Sequence, residues 1–225
     1  MKNVLFFLFM ISQSLLAQQR NYDTLPNLPE HYVKRIAVFK KQPVSTEKVI
    51  MLGNSITEGG DWKKLLTDTT IINHGISGDV TFGVLNRLDE ITKRKPSKVF
   101  LMIGINDLSR NTPTEVIIEN IFNITYRIRA ASPKTQFFVQ SILPLNESFQ
   151  NFPTQFRGKQ EQVIHINTKL KKYADKMKYT YIDLHSKFTN KDGNLEAKYA
   201  TDGLHLTAAG YQNWSSILKP YLKNK

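Results

Sequence analysis

Short apolar runs rich in Val, Ile, Leu and Phe recur along the chain, and each is followed by a segment in which apolar residues return every three or four positions. Runs of the first kind predict β-strands, and segments of the second kind predict amphipathic helices. The predicted strands cover 48–53, 71–75, 98–103, 135–142 and 179–184. The predicted helices cover 62–66, 82–93, 113–131, 154–178 and 208–222. Because the strands are apolar on both faces, the alternation predicts an α/β fold in which helices cover both faces of a five-stranded parallel sheet.

The chain begins with a segment typical of an export signal. Lys2 precedes an unbroken apolar run at 4–11, and Ala17 precedes a polar stretch. We therefore expect a signal peptide at 1–17, cleaved after Ala17, and a secreted or periplasmic protein. Leu15 occupies a position where signal peptidase prefers a small residue, so an uncleaved anchor stays open as the alternative. Since no later segment approaches the ~20 apolar residues that a spanning helix needs, no stable membrane insertion is expected after cleavage.

Residues 18–45 are polar and contain several prolines, which predicts an N-terminal arm with one short helix near 31–40. The alternating pattern fills 46–225 and predicts one domain there. A chain of 225 residues buries enough surface to be stable without disulfides or a structural metal. It contains no cysteine, which excludes zinc ribbons, iron–sulfur clusters and cysteine nucleophiles.

The 31 Lys and Arg residues outnumber the 19 Asp and Glu residues, which gives a formal charge of +12 at pH 7. A nucleic-acid-binding surface would gather these cations into a stripe with stacking aromatic residues. The densest clusters, at 93–95 and 169–178, instead fall at predicted helix ends and at solvent-facing positions. We therefore expect no nucleic-acid partner, although the charge favours the approach of acidic substrates.

Small and polar residues follow the predicted strands, where sheets of this kind bind their ligands. Ser55 comes directly after the first strand, on a turn that would present its hydroxyl. Serine is a poor nucleophile unless a base takes its proton and a third group orients that base. Asp202 and His205 supply both, because the two loop residues between them allow the carboxylate to fold back toward the imidazole. These three residues are the candidate catalytic residues for acyl transfer.

Acyl transfer also needs hydrogen-bond donors for the oxyanion that forms on the substrate carbonyl. Gly78 lies in a turn after the second strand and has no side chain to obstruct its N–H. Asn106 follows the third strand and offers a side-chain amide. With the N–H of Ser55, these groups predict an oxyanion hole of three donors. The neighbouring Asp79 and Asp107 are expected to cap or brace their turns.

Each of these residues also has a purely structural interpretation. Ser55 is a common helix cap, and Asn106 with Asp107 is a common turn or cap pair. Their joint position at one edge of the predicted sheet favours the catalytic interpretation. His185 with Asp183 is a rival base, but these two are expected side by side on one face of an extended strand, directed away from Ser55.

Four blocks of the sequence resemble the SGNH (GDSL-type) hydrolases, a family named for a Ser, a Gly, an Asn and a His in separate blocks. The blocks are Gly-Asn-Ser-Ile-Thr at 53–57, Gly-Ile-Ser-Gly-Asp at 75–79, Gly-Ile-Asn-Asp at 104–107 and Asp-Gly-Leu-His-Leu-Thr at 202–207. They occur in the family's order and at family-like separations across 47–222. Within the family they look most like the platelet-activating-factor acetylhydrolase-like branch and its secreted bacterial relatives, many of them carbohydrate O-acetylesterases.

The resemblance implies a flavodoxin-like sandwich of three layers, α/β/α, and a reaction that uses no metal and no other cofactor. It implies that Ser55 is the nucleophile and that Asp202 orients His205. It also implies that the oxyanion donors are Ser55, Gly78 and Asn106.

One block departs from the family pattern, since Asn54 stands where the older family name calls for Asp. Asn54 is not one of the three candidate catalytic residues, so we expect altered hydrogen bonding beneath the nucleophile without loss of activity. The five histidines lack the paired spacing of metal ligands, in agreement with a metal-free reaction.

The residues that select the substrate carry weaker signals. Phe149 and Phe152 lie between the fourth strand and the following helix, and they either form an aromatic wall beside Ser55 or pack that helix onto the sheet. His74 and Tyr199 are further candidate substrate-binding residues, with packing as the alternative for His74. No long apolar loop indicates a tunnel for a fatty acyl chain, so a short acyl group, acetyl above all, is expected.

The sequence therefore predicts a secreted serine esterase that removes short acyl groups from O-acetylated carbohydrates or sialic acids through an acyl-serine intermediate. A lipid esterase of the lysophospholipase or platelet-activating-factor acetylhydrolase type is the enzymatic alternative. A non-catalytic glycan-binding module on the same fold is the alternative from another class, and the intact Ser55, Asp202 and His205 argue against it. A nucleotide or flavin binder is disfavoured, because the first turn lacks a phosphate-binding glycine pattern.

Overall fold

The computed structural model of the chain describes residues 28–46 and 48–222, so the predicted signal peptide at 1–17 lies outside the described residues. The α-helices are α1 (Glu30–Lys41), α2 (Ser55–Glu58), α3 (Trp62–Leu65), α4 (Thr81–Asn86), α5 (Leu88–Thr92), α6 (Ile105–Ser109), α7 (Thr114–Ala131), α8 (Gln160–Met177), α9 (His185–Phe188) and α10 (Ala208–Leu222). The strands are β1 (Val49–Gly53), β2 (Ile72–Gly75), β3 (Lys98–Met102), β4 (Gln136–Gln140) and β5 (Thr180–Ile182), and short 3₁₀ turns cover Thr154–Phe156 and Ala197–Tyr199. None of the helices in this part of the chain combines the length and the apolar character needed to cross a bilayer.

The strands form one parallel sheet in the order β2-β1-β3-β4-β5. Strands β1 (VIMLG) and β3 (KVFLM) lie inside the sheet and are buried along their whole length. A strand enclosed on both faces buries nearly every side chain, which is why both runs are almost continuously apolar and do not alternate. The predicted α/β fold with a five-stranded parallel sheet is confirmed.

Helices cover both faces of this sheet and complete a three-layer α/β/α sandwich. On one face α7 packs against α4, α5 and α8, and on the other α10 packs against α3. Right-handed crossovers between parallel strands lead to this distribution. The strand order reverses at β1, which lies between β2 and β3. Folds of this class bind ligands at such a reversal, beyond the carboxyl ends of the strands.

A pair of buried tryptophans joins α3 to α10. The rings of Trp62 and Trp214 meet edge to face, with centroids 4.6 Å apart. Trp62 Nε1 donates to the carbonyl oxygen of Thr57 (2.8 Å), and Trp214 Nε1 donates to Gln140 Oε1 (2.7 Å). Because a buried indole N–H needs an acceptor, these bonds fix both rings. Trp62 thereby also holds α2, the helix that begins with Ser55.

Two of the predicted helices are interrupted in the structure. The one predicted at 82–93 is divided into α4 and α5 at Arg87, whose backbone (φ −118°, ψ 18°) leaves the helical region and whose guanidinium contacts Asp79. The one predicted at 154–178 is divided into a 3₁₀ turn and α8, with Gly158 at φ +69° between them. This left-handed backbone suits glycine and ends the helical run.

Helix α1, which the sequence predicted near 31–40, packs against the edge strand β2. Phe39 of α1 is fully buried and stacks on His74 of β2, with ring centroids 4.1 Å apart. His74 is also fully buried, and its two ring nitrogens have no hydrogen-bond partner among the described residues. The expectation that His74 lines the substrate site is therefore wrong, because a side chain without exposed surface does not reach a substrate.

The buried His74 is expected to make the fold less stable in mild acid. Burial holds the pKa of this imidazole well below its ordinary value, and the charges of Arg87, Arg94 and Arg35 lower it further. His74 therefore stays neutral in the folded state, whereas in the unfolded chain it gains a proton below about pH 6.5. Since the unfolded state then binds more protons, this residue lowers the free energy of unfolding by up to about 1.4 kcal/mol for each pH unit below that value.

The variant His74→Phe tests this effect, because it retains a ring stacked on Phe39 and removes the titrating group. Urea unfolding between about pH 7 and pH 5 should show a smaller loss in the free energy of unfolding for the variant than for the wild type. His165→Gln, at an exposed histidine of α8, is the control and should keep the wild-type slope. Equal slopes in His74→Phe and the wild type would contradict the prediction.

Candidate active site

Ser55 is the first residue of α2, just beyond the end of β1. Asn54 caps this helix, since its Oδ1 atom accepts a hydrogen bond from the backbone N–H of Ile56 (3.1 Å). Asn54 is buried, so the residue that departs from the SGNH pattern makes a local bond beneath the turn. Because Asn54 takes the capping role, the hydroxyl of Ser55 is available for another contact.

That hydroxyl meets an imidazole from near the other end of the chain. Ser55 Oγ lies 3.1 Å from His205 Nε2, and His205 Nδ1 lies 2.7 Å from Asp202 Oδ2. Two hydrogen bonds therefore connect hydroxyl, imidazole and carboxylate in series. The side chain of His205 is 40% exposed and that of Asp202 is 18% exposed, so the imidazole is accessible from solvent.

The turn between Asp202 and His205 fixes this arrangement. Asp202 Oδ1 accepts hydrogen bonds from the backbone N–H groups of Leu204 (2.9 Å) and His205 (2.7 Å), which leaves Oδ2 for the imidazole. Gly203 has φ +83°, and a Cβ atom at this position would lie 2.1 Å from the carbonyl oxygen of Asn146. Both facts require glycine in the turn.

The carboxyl group of Asp202 stays ionised at neutral pH. Burial raises the pKa of Asp202, but hydrogen bonds from the side chain and backbone of His205 and from the backbone of Leu204 outweigh this and hold the pKa below its ordinary value. An ionised carboxylate favours the histidine tautomer that carries its proton on Nδ1. In that tautomer Nε2 is the atom with a lone pair, and it faces the Ser55 hydroxyl.

Gly78 lies on the loop after β2 and Asn106 lies in α6, and a hydrogen bond from Asn106 connects the two segments. Gly78 is exposed and has φ +76°, a conformation that favours glycine. Asn106 of α6 donates from Nδ2 to the carbonyl oxygen of Asp79 (2.9 Å). Since an amide nitrogen carries two hydrogens, this bond uses one N–H of Asn106 to order the loop and leaves the second N–H for another acceptor. We call residues 75–79 the Gly78 loop.

Two buried carboxyl groups support the Gly78 loop from inside. Asp79 forms an ion pair with Arg87, in which Nη2 lies 2.8 Å from Oδ2 and neither side chain is more than 1% exposed. Asp107 accepts hydrogen bonds from the backbone N–H (3.0 Å) and the hydroxyl (2.6 Å) of Thr81, and Asn120 of α7 donates to the same hydroxyl (3.0 Å). Asp79 braces its own turn, as predicted, whereas the Asp107 carboxylate holds the start of α4 at Thr81 and not its own turn.

Burial is the main influence on both carboxyl groups. It raises the pKa of Asp79, and the Arg87 guanidinium opposes that rise. It also raises the pKa of Asp107 to about 7, against the hydrogen bonds from Thr81. Arg87, Thr81 and Asn120 could not be identified from the sequence, because no motif marks a residue whose role is to support another segment of the folded chain.

The remaining candidate substrate-binding residues differ in their exposure. Phe152 is 3% exposed and its ring lies against Gly203, so it packs the turn after Asp202 and the expectation that it lines the substrate site is wrong. Phe149 and Tyr199 are partly buried and pack at the edge of the core. These two stay predicted substrate contacts, because each residue is only partly buried.

The rival base His185 begins α9, beyond the end of β5. Burial lowers the pKa of His185, and the nearby charge of Asp183 opposes this. Its Nδ1 atom lies 3.4 Å from Thr189 Oγ1, whereas Asp183 Oδ1 accepts a hydrogen bond from the backbone N–H of Ser186 (3.0 Å). The expected side-by-side placement on an extended strand is wrong, since the strand ends before both residues, but no hydrogen bond joins either one to Ser55 in the described part of the chain.

Two other histidines contact carboxylates at the surface. His165 lies 3.4 Å from Glu115, and His31 lies 3.0 Å from Glu58. Within residues 28–46 and 48–222, no three His, Asp or Glu side chains converge as metal ligands. That the reaction needs neither a metal nor another cofactor stays a prediction.

The chain is similar to proteins of a known family. The model of the GDSL-like lipase/acylhydrolase family matches residues 51–212. The platelet-activating factor acetylhydrolase IB subunit alpha2 of Homo sapiens is 32% identical over 162 residues, which are 71% of this chain and 66% of that protein. The chain thus spans slightly less than two thirds of the length of this relative.

Two solved structures show the same fold. A GDSL-like lipase from Bacteroides thetaiotaomicron is 22% identical, with a TM-score of 0.73 over 84% of this chain and 96% of that one. The acetyl xylan esterase AlAXEase is 18% identical, with a TM-score of 0.64 over 78% of this chain and 100% of that one. At these identities the similarity shows the fold alone, and it agrees with the α/β architecture described above.

The buried ion pair beneath the Gly78 loop predicts a strong effect on stability. Replacing Arg87 by Leu leaves the Asp79 carboxylate buried without its partner, which should lower the free energy of unfolding by about 3–5 kcal/mol. The double variant Arg87→Leu/Asp79→Leu removes both charges and should be more stable than the sum of the two single changes implies. Urea unfolding of the four proteins measures this difference, and strictly additive losses would show that the two side chains do not stabilise one another.

Proposed function

The chain belongs to the GDSL-like lipase/acylhydrolase family, and from this premise we propose that it is a serine esterase that hydrolyses short acyl esters, acetyl esters in the first place. The observation that carries the proposal is the series of hydrogen bonds from Ser55 Oγ through His205 to Asp202, at 3.1 Å and 2.7 Å. Such a series is what activates a serine hydroxyl as a nucleophile. We propose Ser55 as the nucleophile, His205 as the base and Asp202 as the group that orients it.

In the proposed reaction, His205 Nε2 takes the hydroxyl proton while Ser55 Oγ forms a bond to the ester carbonyl carbon. The tetrahedral intermediate collapses as its bond to the alcohol oxygen breaks, and the alcohol leaves with the proton from His205. A water molecule then attacks the acyl-serine with the same base, which releases the acid and restores Ser55. Asp202 stabilises the imidazolium that forms in each half of the cycle.

The oxyanion of the intermediate requires donors that are already in position. We propose that the backbone N–H groups of Ser55 and Gly78 and the second side-chain N–H of Asn106 supply them. The bond from Asn106 to the Asp79 carbonyl (2.9 Å) supports this assignment, because it fixes the amide beside the residue that follows Gly78.

The names of two similar proteins favour acetyl as the acyl group. The human relative is an acetylhydrolase and one neighbour in fold is an acetyl xylan esterase. We propose an O-acetylated carbohydrate or sialic acid as the substrate class, which agrees with the export signal proposed at 1–17 and a catalytic domain at 46–225. Phe149 and Tyr199 would contact the alcohol portion of such an ester.

Similarity to a platelet-activating factor acetylhydrolase also favours a second candidate, an acyl ester of a lipid. The two candidates differ in the length of the acyl chain and in the alcohol that carries it. Acetate release from a panel of O-acetylated sugars and glycans, compared with release from acetylated phospholipids, separates them. A non-catalytic glycan-binding module would release no acetate from any member of the panel.

We predict that the wild type hydrolyses p-nitrophenyl acetate at least ~10-fold more efficiently than p-nitrophenyl octanoate, because the sequence has no long apolar loop that would form a tunnel for a fatty acyl chain. Ser55→Ala should reduce kcat on acetate by a factor on the order of 10⁴ or more, since it removes the nucleophile. Initial rates measured by p-nitrophenol release test both statements. A higher kcat/KM for octanoate would defeat the acetyl proposal, and an unchanged rate in Ser55→Ala would defeat the serine mechanism.

The variant Asn106→Ala tests the oxyanion hole. It removes one donor to the oxyanion, so kcat should fall by about 10²- to 10³-fold. Ser109→Ala is the matched control on α6, because its hydroxyl donates only to the Asn106 carbonyl (2.8 Å), and it should keep a rate close to the wild type. Equal rates in Asn106→Ala and Ser109→Ala would exclude Asn106 from the oxyanion hole.

A further inference from the structure

The carboxylate of Glu58 connects the helix of Ser55 to the Gly78 loop. Glu58 is the last residue of α2, and its Oε2 atom accepts a hydrogen bond of 2.6 Å from the backbone N–H of Ser77. Ser77 directly precedes Gly78. A bond between an ionised carboxylate and a backbone N–H is stronger than a neutral one, so Glu58 fixes the peptide next to the proposed oxyanion donor.

Helix α1 supplies a second fixed point for the same loop. The Nε atom of Arg35 lies 3.0 Å from Glu58 Oε1, and its Nη2 atom donates to the carbonyl oxygen of Gly75 (3.1 Å). The planar guanidinium thus contacts the carboxylate and the backbone at once, a geometry that a lysine does not reproduce. His31, one turn earlier in α1, lies 3.0 Å from the other oxygen of Glu58.

The Gly78 loop is held by residues of α1 and α2 and also by Arg110, which follows α6. From α1 and α2, Arg35 and Glu58 hold the carbonyl of Gly75 and the N–H of Ser77. From the far side, Arg110 Nη2 donates to the Gly78 carbonyl (3.0 Å). The loop is therefore fixed on both sides of the peptide that would donate to the oxyanion, before it at Gly75 and Ser77 and after it at the Gly78 carbonyl.

Helix α1 is itself firmly docked, although it lies outside the 51–212 matched by the family. Tyr32 donates from its hydroxyl to the carbonyl oxygen of Gly83 (2.8 Å), and Arg94 donates to that of Phe39 (2.9 Å). With Phe39 stacked on the second strand, these bonds hold both ends of the helix. The guanidinium of Arg35 is thus held on a fixed support.

We propose that α1 is a functional part of the active site, in which Arg35 acts with Glu58 as a pair of positioning residues for the Gly78 loop. This inference rests on the proposed function, because the loop matters in this way only if Gly78 donates to an oxyanion. The pair touches neither the ester nor Ser55 Oγ. Its effect is to keep the Gly78 N–H in the direction that the tetrahedral intermediate requires, so the loss of the pair raises the barrier without weakening the binding of the ester.

The variant Arg35→Gln removes the guanidinium, and Lys34→Gln is the matched control. Lys34 is the neighbouring cation of α1, and its side chain is 71% exposed and pairs with Glu30. For p-nitrophenyl acetate, kcat should fall about 10-fold in Arg35→Gln, a part of the 10²- to 10³-fold that a lost oxyanion donor costs, with KM within about twofold of the wild type. Lys34→Gln should match the wild type, and Arg35→Lys should recover only part of kcat.

Inhibition by a boronic acid distinguishes a displaced Gly78 loop from a smaller fraction of folded enzyme. Its boron atom bonds to Ser55 Oγ as the hydroxyl proton passes to His205, and the tetrahedral adduct places an oxygen at the oxyanion site. The inhibition constant of methylboronic acid should rise in Arg35→Gln by about the same factor as kcat/KM falls. A smaller fraction of folded enzyme would lower kcat and leave the inhibition constant unchanged, which would overturn the positioning role.

Glu58→Gln provides the same comparison if Arg35→Gln does not fold, because glutamine still accepts from Ser77 while the ion pair with Arg35 is lost. In Glu58→Gln, kcat should fall and the inhibition constant of methylboronic acid should rise by similar factors, as in Arg35→Gln. If the wild type is active and these variants keep its kcat and its inhibition constant, the positioning role is overturned and the proposed function stands. If the wild type shows no hydrolysis that depends on Ser55, both the positioning role and the proposed function are overturned.

Discussion

Parallel pairing of β1 with both of its neighbours is the constraint on which the candidate active site depends. Gly53, the last residue of β1, is in register with Gly75 of β2 and with Met102 of β3, so three stretches of chain leave the sheet at one level. A Cβ atom at Gly53 would lie 2.4 Å from the Met102 carbonyl oxygen, and the close approach of the strands therefore requires glycine. The loops that carry Ser55, Gly78 and the Asn106 amide start side by side, although the sequence separates them widely.

The position of the Gly78 loop depends in turn on two pairs of oppositely charged groups. Inside, Asp79 contacts Arg87 in a fully buried ion pair, and an isolated charge there would carry a large desolvation cost. Outside, Glu58 and Arg35 hold the same loop at the surface. Donors for an oxyanion are effective when they need no rearrangement during the reaction, and a loop fixed from both sides meets that requirement.

The sheet and the edge that carries the site could be predicted from the sequence, because apolar runs and polar residues at strand ends are local signals. The sequence also predicts that Ser55 lies near His205, and the structure brings the two together. Their catalytic roles are a proposal. The break between α4 and α5 could not be predicted, since it accompanies a contact of Arg87 with Asp79 that exists only in the folded chain. The position of His74 beside the second block leaves both substrate binding and packing open, and only the docking of α1 shows that the residue is buried.

Covalent labelling with a fluorophosphonate tests most directly whether Ser55 is a nucleophile that His205 activates. In this reaction Ser55 Oγ bonds to phosphorus, fluoride leaves, and His205 takes the hydroxyl proton. We predict a single adduct on Ser55, located by mass spectrometry of the intact protein and its peptides, and a labelling rate lower by about 10³-fold or more in His205→Ala. An adduct on another residue, or equal rates in the wild type and His205→Ala, would contradict this mechanism.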